Sequence, residues 1–264
     1  MLQLEMIKNF KTNNFSLVLS GGGALGIAHL GIVHDLEQKA LVPAEIIGTS
    51  MGSIIGACVA IGMQEKDIFL FFEKFSNLFK IFKFSFSGNS IIKSEKIENI
   101  LNTVFSDMKM KDTKIPLKII ATNLANADIK VFNSHDDVKI KDAILSSIAI
   151  PGIFEEKHID GITYGDGFLC ENLGINQATY HNVLAVDVLG ESSFEKSLPQ
   201  NFFKTNNVLE MFEKSMRILI YNQTRNALRN SDKNIVLIEP NTKEYKTFHF
   251  HKYKKLKELG LNLL

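Results

Sequence analysis

Short apolar segments alternate along this chain with longer segments in which apolar residues recur every three or four positions. This alternation predicts strands separated by amphipathic helices. Strands are predicted at 15–20, 44–49, 117–122, 129–132, 183–188 and 235–238, with a hairpin between 154–158 and 162–164. Helices are predicted at 24–38, 50–61, 67–88, 94–105, 139–147 and 207–230. We therefore expect an α/β fold with a mainly parallel central sheet that is covered on both faces.

No repeat, low-complexity tract or flexible linker divides the sequence, so residues 1–264 are predicted to form a single domain. Within it, residues 66–115 are predicted to be a helical, aromatic-rich insertion that resembles a lid or cap. Its aromatic side chains recur at helical spacing, which is typical either of plain core or of an acyl-chain site. In the second interpretation, Phe84 and Phe86 would be the exposed residues of a lid.

The last segment of the chain, residues 243–264, is predicted to be a basic helix that ends in leucines. Two interpretations are open for this helix. It either rests on an anionic membrane surface, or packs on the domain and leaves its lysines in solvent.

Composition limits the partners and the compartment. The chain has a net charge of +1, which creates no overall field to attract nucleic acid, so no nucleic-acid partner is expected. Its two cysteines are too few for a disulfide framework, and no unbroken apolar stretch of a signal peptide stands near residue 1. We therefore expect a cytoplasmic protein, with peripheral contact to the inner face of the membrane as the alternative.

A serine stands in a glycine-flanked turn between a predicted strand and a predicted helix. The segment Gly48-Thr49-Ser50-Met51-Gly52 matches the Gly-x-Ser-x-Gly pattern, in which the flanking glycines relieve the steric strain of a sharp turn. At the start of a helix, Ser50 also lies where the positive end of the helix dipole favours a developing anion. The alternative is a simple helix cap, although a cap does not require glycine on both sides.

The first strand is followed by a glycine loop, Gly21-Gly22-Gly23. Successive N–H groups in such a loop can bind an anion, and they suit the oxyanion hole that a reactive serine needs. The loop also matches the dinucleotide-binding pattern, which predicts an acidic residue at the end of the second strand. That strand instead ends in Thr49-Ser50 and carries Glu45 at its beginning, so the oxyanion hole is favoured.

A reactive serine needs a proton acceptor. None of the seven histidines stands in a glycine-flanked loop after a strand, although His181, His249 and His251 come late enough in the chain for a Ser-Asp-His order. Asp166, in Tyr164-Gly165-Asp166-Gly167, is the better candidate because its flanking glycines permit close approach to another part of the backbone. Its ordinary pKa is low, so the site would have to raise that pKa by excluding water. Taken alone, Asp166 could equally be a turn residue.

These motifs resemble the patatin-like phospholipase family in order and spacing. The resemblance covers the glycine loop, the Ser50 elbow, Asp166-Gly167, and Ser147-Ile148-Ala149-Ile150-Pro151-Gly152-Ile153-Phe154. It implies a three-layer α/β/α sandwich and a Ser–Asp dyad that works without histidine, metal or cofactor. Ser50 would be the nucleophile and Asp166 the base, with N–H groups of the glycine loop and of Met51 in the oxyanion hole.

The sequence departs from the family pattern at three positions. Leu25 stands where the family usually has arginine or lysine, a cation that could help to hold an anionic headgroup. Phe168 replaces a small residue beside the predicted base, and Gly174 replaces a proline. None of these changes removes a group that the dyad needs.

The expected function is that of a serine acyl hydrolase of the phospholipase A or lipid esterase type, acting on a lipid or another acyl ester. Three alternatives remain. They are an acyltransferase or thioesterase with the same dyad, a catalytically silent lipid-binding regulator, and a dinucleotide-binding oxidoreductase.

Overall fold

The computed structural model describes residue 7 and residues 10–82, 95–193 and 208–264. Within these ranges, the strands of one sheet are linked by pairing in the sequence β5-β6-β3-β2-β1-β7-β8, and β4 also pairs with β3. Strand β3 thus pairs with β2, β4 and β6. The strands are β1 (Ser16–Leu19), β2 (Glu45–Thr49), β3 (Leu117–Asn123), β4 (Ile129–Phe132), β5 (Lys157–Ile159), β6 (Ile162–Asp166), β7 (Asn182–Val186) and β8 (Asn234–Ile238). The helices are α1 (His29–Gln38), α2 (Met51–Ala60), α3 (Glu65–Phe82), α4 (Glu95–Phe105), α5 (Ile140–Ser147), α6 (Val208–Asn230) and α7 (Tyr253–Glu258).

The sheet is mixed but mostly parallel. Strands β3, β2, β1, β7 and β8 run parallel to one another, whereas β4 and β6 are antiparallel to β3 and β5 is antiparallel to β6. The predicted α/β class with a mainly parallel sheet is confirmed.

Apolar side chains cover both faces of the sheet. Along β1, Leu17 and Leu19 belong to a large core that includes Ile54 and Ile55 of α2. Val18 points to the opposite face, where a smaller core packs against α6 through residues that include Ala227. This alternation follows from the two-residue period of a strand. The result is three layers, with the sheet between two sets of helices.

Two strands meet end to end beside β3. Strand β2 pairs with β3 as far as Thr49 opposite Ile120, and β6 begins its pairing with Asp166 opposite Ala121. Because β4 occupies the other edge of β3, β2 and β6 share one edge and approach each other from opposite directions. Their carboxyl ends therefore meet.

The predicted helical insertion at 66–115 contains α3, α4 and a 3-10 turn at Met110–Asp112. Ile68, Phe71 and Phe72 at the start of α3 are buried in the large core, as the plain-core interpretation requires. Phe84 and Phe86 lie outside the described residues, so the lid remains a prediction.

The C-terminal segment contains less helix than predicted. Residues 243–264 form a 3-10 turn at Phe250–Lys252 and the short helix α7, not one continuous helix. Phe250, Tyr253 and Leu256 are buried against the domain. After this helix, the Asp35 carboxylate accepts hydrogen bonds from the backbone N–H groups of residues 262–264. Packing on the domain with exposed lysines is thus the arrangement in the structure.

No described helix is both long enough and apolar enough to cross a membrane. Contact of the C-terminal lysines with a membrane surface is not tested by the structure.

A buried carboxylate ties the strands together at the end of the sheet that is distant from Ser50. Glu45 accepts hydrogen bonds from Ser16 Oγ and from the backbone N–H and hydroxyl of Thr179, and it forms an ion pair with Lys118 at 3.0 Å. Burial by itself would raise the pKa of Glu45, but these bonds together hold that pKa below its usual value. Glu45 is therefore a structural group. It lies at the beginning of β2, whereas an acidic residue that binds a ribose would lie at the end of that strand.

We expect Glu45→Ala to destabilise the fold by about 3 kcal/mol, because it leaves Lys118 and the Thr179 N–H without their buried acceptor. Urea denaturation measures this loss. Asp107→Ala is the matched control, since Asp107 pairs with Lys139 in full exposure to solvent and should leave the unfolding midpoint unchanged. Equal free energies of unfolding for the two variants would contradict the structural role of Glu45.

Candidate active site

Ser50 stands in a strained turn between β2 and α2. Its φ is 51° and its ψ is −120°, a backbone conformation that non-glycine residues rarely adopt. The flanking glycines permit this close packing: a Cβ on Gly48 would lie 2.5 Å from the Gly52 carbonyl oxygen, and a Cβ on Gly52 would collide with the Leu19 carbonyl group. The Ser50 side chain makes no capping hydrogen bond to α2, so the simple helix-cap interpretation is wrong.

The hydroxyl of Ser50 instead donates to Asp166 Oδ2 at 2.7 Å, across 116 positions of sequence. Asp166 is fully buried. Its second carboxylate oxygen accepts the Phe168 N–H at 3.0 Å, and its own N–H donates to the Ala149 carbonyl oxygen at 2.9 Å. Both carboxylate oxygens of Asp166 are therefore hydrogen-bonded, one of them to Ser50.

The site raises the basicity of Asp166. Burial raises the pKa of its carboxyl group from 3.8 to about 7, although the hydrogen bonds from the Phe168 N–H and the Ser50 hydroxyl oppose this shift. A carboxylate whose pKa lies near neutrality can take a proton from a hydroxyl far more readily than an exposed aspartate can. Its environment therefore meets the requirement that we derived for a base.

The glycine loop lies beside Ser50 with two free amides. Gly22 and Gly23 both line the cleft, and neither N–H is hydrogen-bonded to any residue in the described ranges. Gly23 has a φ of 55°, and a Cβ there would lie 2.6 Å from the Thr247 carbonyl oxygen. The N–H of Met51, at the start of α2, also has no acceptor among the described residues. These three amides are available to an oxyanion.

For Gly21, the structure differs from the predicted role as a donor in the oxyanion hole. Its N–H donates to the Asn172 carbonyl oxygen at 3.3 Å, so this amide is not available as an oxyanion donor. The reason for a glycine here is space: a Cβ would lie 2.6 Å from Asn172 Oδ1 and 3.1 Å from Ser50 Cβ.

No described histidine is hydrogen-bonded to Ser50 or Asp166, and none lines the cleft. His29 is buried and contacts the carbonyl oxygen of Ser20 through Nε2 at 2.9 Å. Burial lowers the pKa of His29 to about 4, so its ring is neutral at physiological pH. It supports the start of the glycine loop rather than Ser50.

The cleft beside Ser50 has a volume of about 50 Å³ and opens to the surface. Its walls are mostly apolar, and much of them comes from parts of the chain that our sequence reasoning did not connect with the site. The apolar lining residues are Ile150, Ile153, Phe168, Leu189, Met216, Ile220 and Phe248, and the polar ones besides the dyad and glycine loop are Asn172, Glu213, Arg217 and Thr247. The helical spacing of residues 213, 216, 217 and 220 indicates that they lie on one face of α6. The sequence around them does not indicate that this face contacts the cleft.

A chain of hydrogen bonds fastens α6 to the glycine loop. Glu213 Oε1 accepts both the N–H and the hydroxyl of Thr247, at 2.8 and 2.5 Å. The Thr247 carbonyl oxygen accepts the N–H of Ala24 at 2.7 Å. The oxyanion loop and the far wall of the cleft are thus held in one arrangement.

The three departures from the family pattern have separate explanations. Leu25 is fully buried in the large core, so this position does not face the cleft and a cation there would be buried. The ring of Phe168 lines the cleft, while its N–H serves Asp166. A Cβ on Gly174 would lie 2.8 Å from Ile47 Cγ2, which leaves little room for proline.

The chain is similar to several known proteins. A family model described as "Patatin-like phospholipase" matches residues 17–179. The chain is 27% identical to Lysophospholipase NTE1 of Scheffersomyces stipitis, over 98% of this chain and 18% of that protein. It is 25% identical to Lysophospholipase NTE1 of Candida albicans, over 93% of this chain and 19% of that protein.

An uncharacterized NTE family protein of Mycobacterium tuberculosis is 27% identical over 63% of this chain and 46% of its own length. The chain therefore spans less than a fifth of the fungal relatives and under half of the mycobacterial one. Among solved structures, VipD from Legionella pneumophila matches with a TM-score of 0.49 and 15% identity, over 93% of this chain and 67% of that one.

The buried carboxyl group should reduce stability at high pH. The pKa of Asp166 is about 7 in the folded protein and near 3.8 when unfolded. The contribution of this carboxyl group to the free energy of unfolding is therefore present at low pH and is lost as the pH rises through 7. We expect Asp166→Asn to be more stable than the native protein, by a margin that grows by roughly 2–3 kcal/mol between pH 5 and pH 8. Urea denaturation at both pH values measures this margin. A margin that does not change with pH would refute the raised pKa.

Proposed function

Because the chain belongs to the patatin-like phospholipase family, we propose that it is a serine acyl hydrolase that cleaves carboxylic esters of lipids with Ser50 and Asp166. The observation that carries this proposal is the 2.7 Å hydrogen bond from Ser50 Oγ to Asp166 Oδ2 at the base of a mostly apolar cleft. No third side chain is required to orient Asp166, since the Phe168 N–H holds its other oxygen.

In the acylation step, Ser50 Oγ attacks the ester carbonyl carbon while its proton passes to Asp166 Oδ2. The carbonyl oxygen becomes an oxyanion, which accepts hydrogen bonds from the free amides of Gly22, Gly23 and Met51. When the tetrahedral intermediate collapses, the bond between the carbonyl carbon and the oxygen of the leaving alcohol breaks. Asp166 gives the proton to that alcohol oxygen. The acyl group then remains on Ser50.

Deacylation repeats these steps with water as the nucleophile. Asp166 takes a proton from the water as its oxygen attacks the acyl carbonyl carbon, and the same amides hold the oxyanion. The bond to Ser50 Oγ then breaks, the proton passes from Asp166 to Ser50, and the fatty acid leaves.

A lysophospholipid is the first substrate to test. The fungal relatives carry the name lysophospholipase, and the mostly apolar cleft beside Ser50 can contact an acyl chain. Two neighbouring side chains on the same helix as the cleft wall, Ile218 and Leu219, are 41% and 61% exposed. They favour approach of this side of the molecule to a lipid aggregate.

We expect a fluorophosphonate probe to label the purified protein at Ser50, and Ser50→Ala to abolish both labelling and lysophospholipid hydrolysis. Asp166→Asn should lower kcat/KM by about 10³-fold, because a neutral amide cannot accept the proton. Ser146→Ala, which removes a buried hydroxyl bonded to the Asp142 carbonyl, is the control and should keep its activity. A folded protein that takes no label would instead favour a silent lipid-binding regulator, and transfer of the acyl group to an added alcohol would identify a transferase.

The pH dependence of kcat/KM gives a separate test of the base. Asp166 must be ionised to act, so we expect activity to rise with pH and to reach half its maximum near pH 7. Measurements between pH 5 and pH 9 are sufficient. A midpoint near pH 4 would show that the reacting carboxylate is not the buried one.

A further inference from the structure

The backbone N–H of Ser50 has an unusual acceptor. It donates to the side-chain oxygen of Ser147 at 2.8 Å, across 97 positions of sequence. The Ser147 hydroxyl in turn donates to the carbonyl oxygen of Ile120, in β3, at 2.6 Å. Both serines are buried, so one hydroxyl links the N–H of the strained residue to the neighbouring strand.

This hydroxyl stands where the β2–β3 ladder would otherwise continue. The Ile46 N–H donates to the Pro116 carbonyl oxygen at the start of the pairing. Since donors recur at every second residue of a parallel strand, the rung at Ser50 would run from its N–H directly to the Ile120 carbonyl oxygen. Ser147 Oγ is inserted into that rung and contacts both of its groups.

The same short segment also holds the base. Two residues after Ser147, the Ala149 carbonyl oxygen accepts the N–H of Asp166 at 2.9 Å. Residues 147–149 thus contact the backbone of both members of the dyad at the point where β2 and β6 meet. Their spacing contributes to the 2.7 Å separation of Ser50 Oγ and Asp166 Oδ2.

We propose that Ser147 is a positioning residue for the nucleophile. Its hydroxyl widens the last rung of the β2–β3 ladder, and this widening moves Ser50 out of the strand conformation and aims its Oγ at Asp166. Ser147 acts through the Ser50 backbone and does not contact the substrate. The catalytic consequence, a faster reaction at Ser50, rests on the proposed function. The geometric consequence, the position of Ser50 Oγ relative to Asp166, does not.

Kinetic comparison of Ser147→Ala with Ser146→Ala tests the catalytic consequence. Both variants delete a buried serine hydroxyl of α5 that is bonded to a carbonyl group, but only Ser147 contacts Ser50. For a nitrophenyl ester, we expect Ser147→Ala to lower kcat and the fluorophosphonate labelling rate by 10- to 100-fold with KM within twofold. The midpoint of its pH profile should stay near 7, since Asp166 remains buried. Ser146→Ala should match the native protein within twofold.

A crystal structure of Ser147→Ala tests the geometric consequence whether or not the protein is an esterase. We expect the Ser50 N–H to approach the Ile120 carbonyl oxygen directly, and the Ser50 Oγ–Asp166 Oδ2 distance to exceed its native value. Unchanged positions of these atoms would overturn the proposal. If the native protein is labelled, a Ser147→Ala labelling rate equal to that of Ser146→Ala would overturn it as well. If native protein takes no label but the variant shows the displacement, the proposed function fails and the positioning role stands.

Should Ser147→Ala not fold, Ser147→Cys replaces it, because a thiol has similar size but is a weak donor and acceptor. Its expected labelling rate is three- to tenfold below native. A native rate in folded Ser147→Cys would count against the proposal.

Discussion

The meeting of β2 and β6 on one edge of β3 is the constraint on which the site depends. Each strand ends where the other arrives, so Ser50 and Asp166 are brought together by backbone pairing to the same strand. Neither residue reaches the other through a flexible loop. The 2.7 Å hydrogen bond between them is therefore a consequence of register, and a slip of either strand would separate the two side chains. A site built on paired strands holds its geometry more precisely than one built on loops.

This junction stores unfavourable free energy that the rest of the fold offsets. Ser50 has a positive φ, and the buried carboxyl group of Asp166 forms no ion pair with any residue in the described ranges. The close packing of α2 on β1 at Gly52 and the large core surround this junction. The strain and the raised pKa are thus products of the same dense packing that stabilises the domain, and both favour a reactive serine.

The chemistry and the selectivity of the cleft come from different parts of the chain. Ser50 directly follows β2, Asp166 is the last residue of β6 and the glycine loop follows β1, whereas one wall of the cleft belongs to α6 and the segment around Thr247. The Glu213–Thr247–Ala24 hydrogen bonds join these parts. Under the proposed function, changes in the wall can alter which lipid is accepted while leaving Ser50 and Asp166 in place, although Glu213 itself also supports the glycine loop.

The sequence by itself determined the α/β class, the order of the strands and helices, and the identity of Ser50, Gly22, Gly23 and Asp166 as candidates, because apolar periodicity and glycine-flanked turns are local properties. Only the tertiary structure decided that the Gly21 amide is occupied, that Leu25 faces the core, that Ser147 enters the β2–β3 ladder and that Asp35 binds the backbone of residues 262–264. Each of these depends on partners that lie far apart in sequence, up to 229 positions between Asp35 and Leu264. Such pairings leave no local pattern, since burial and hydrogen-bond partners are set by how distant elements pack.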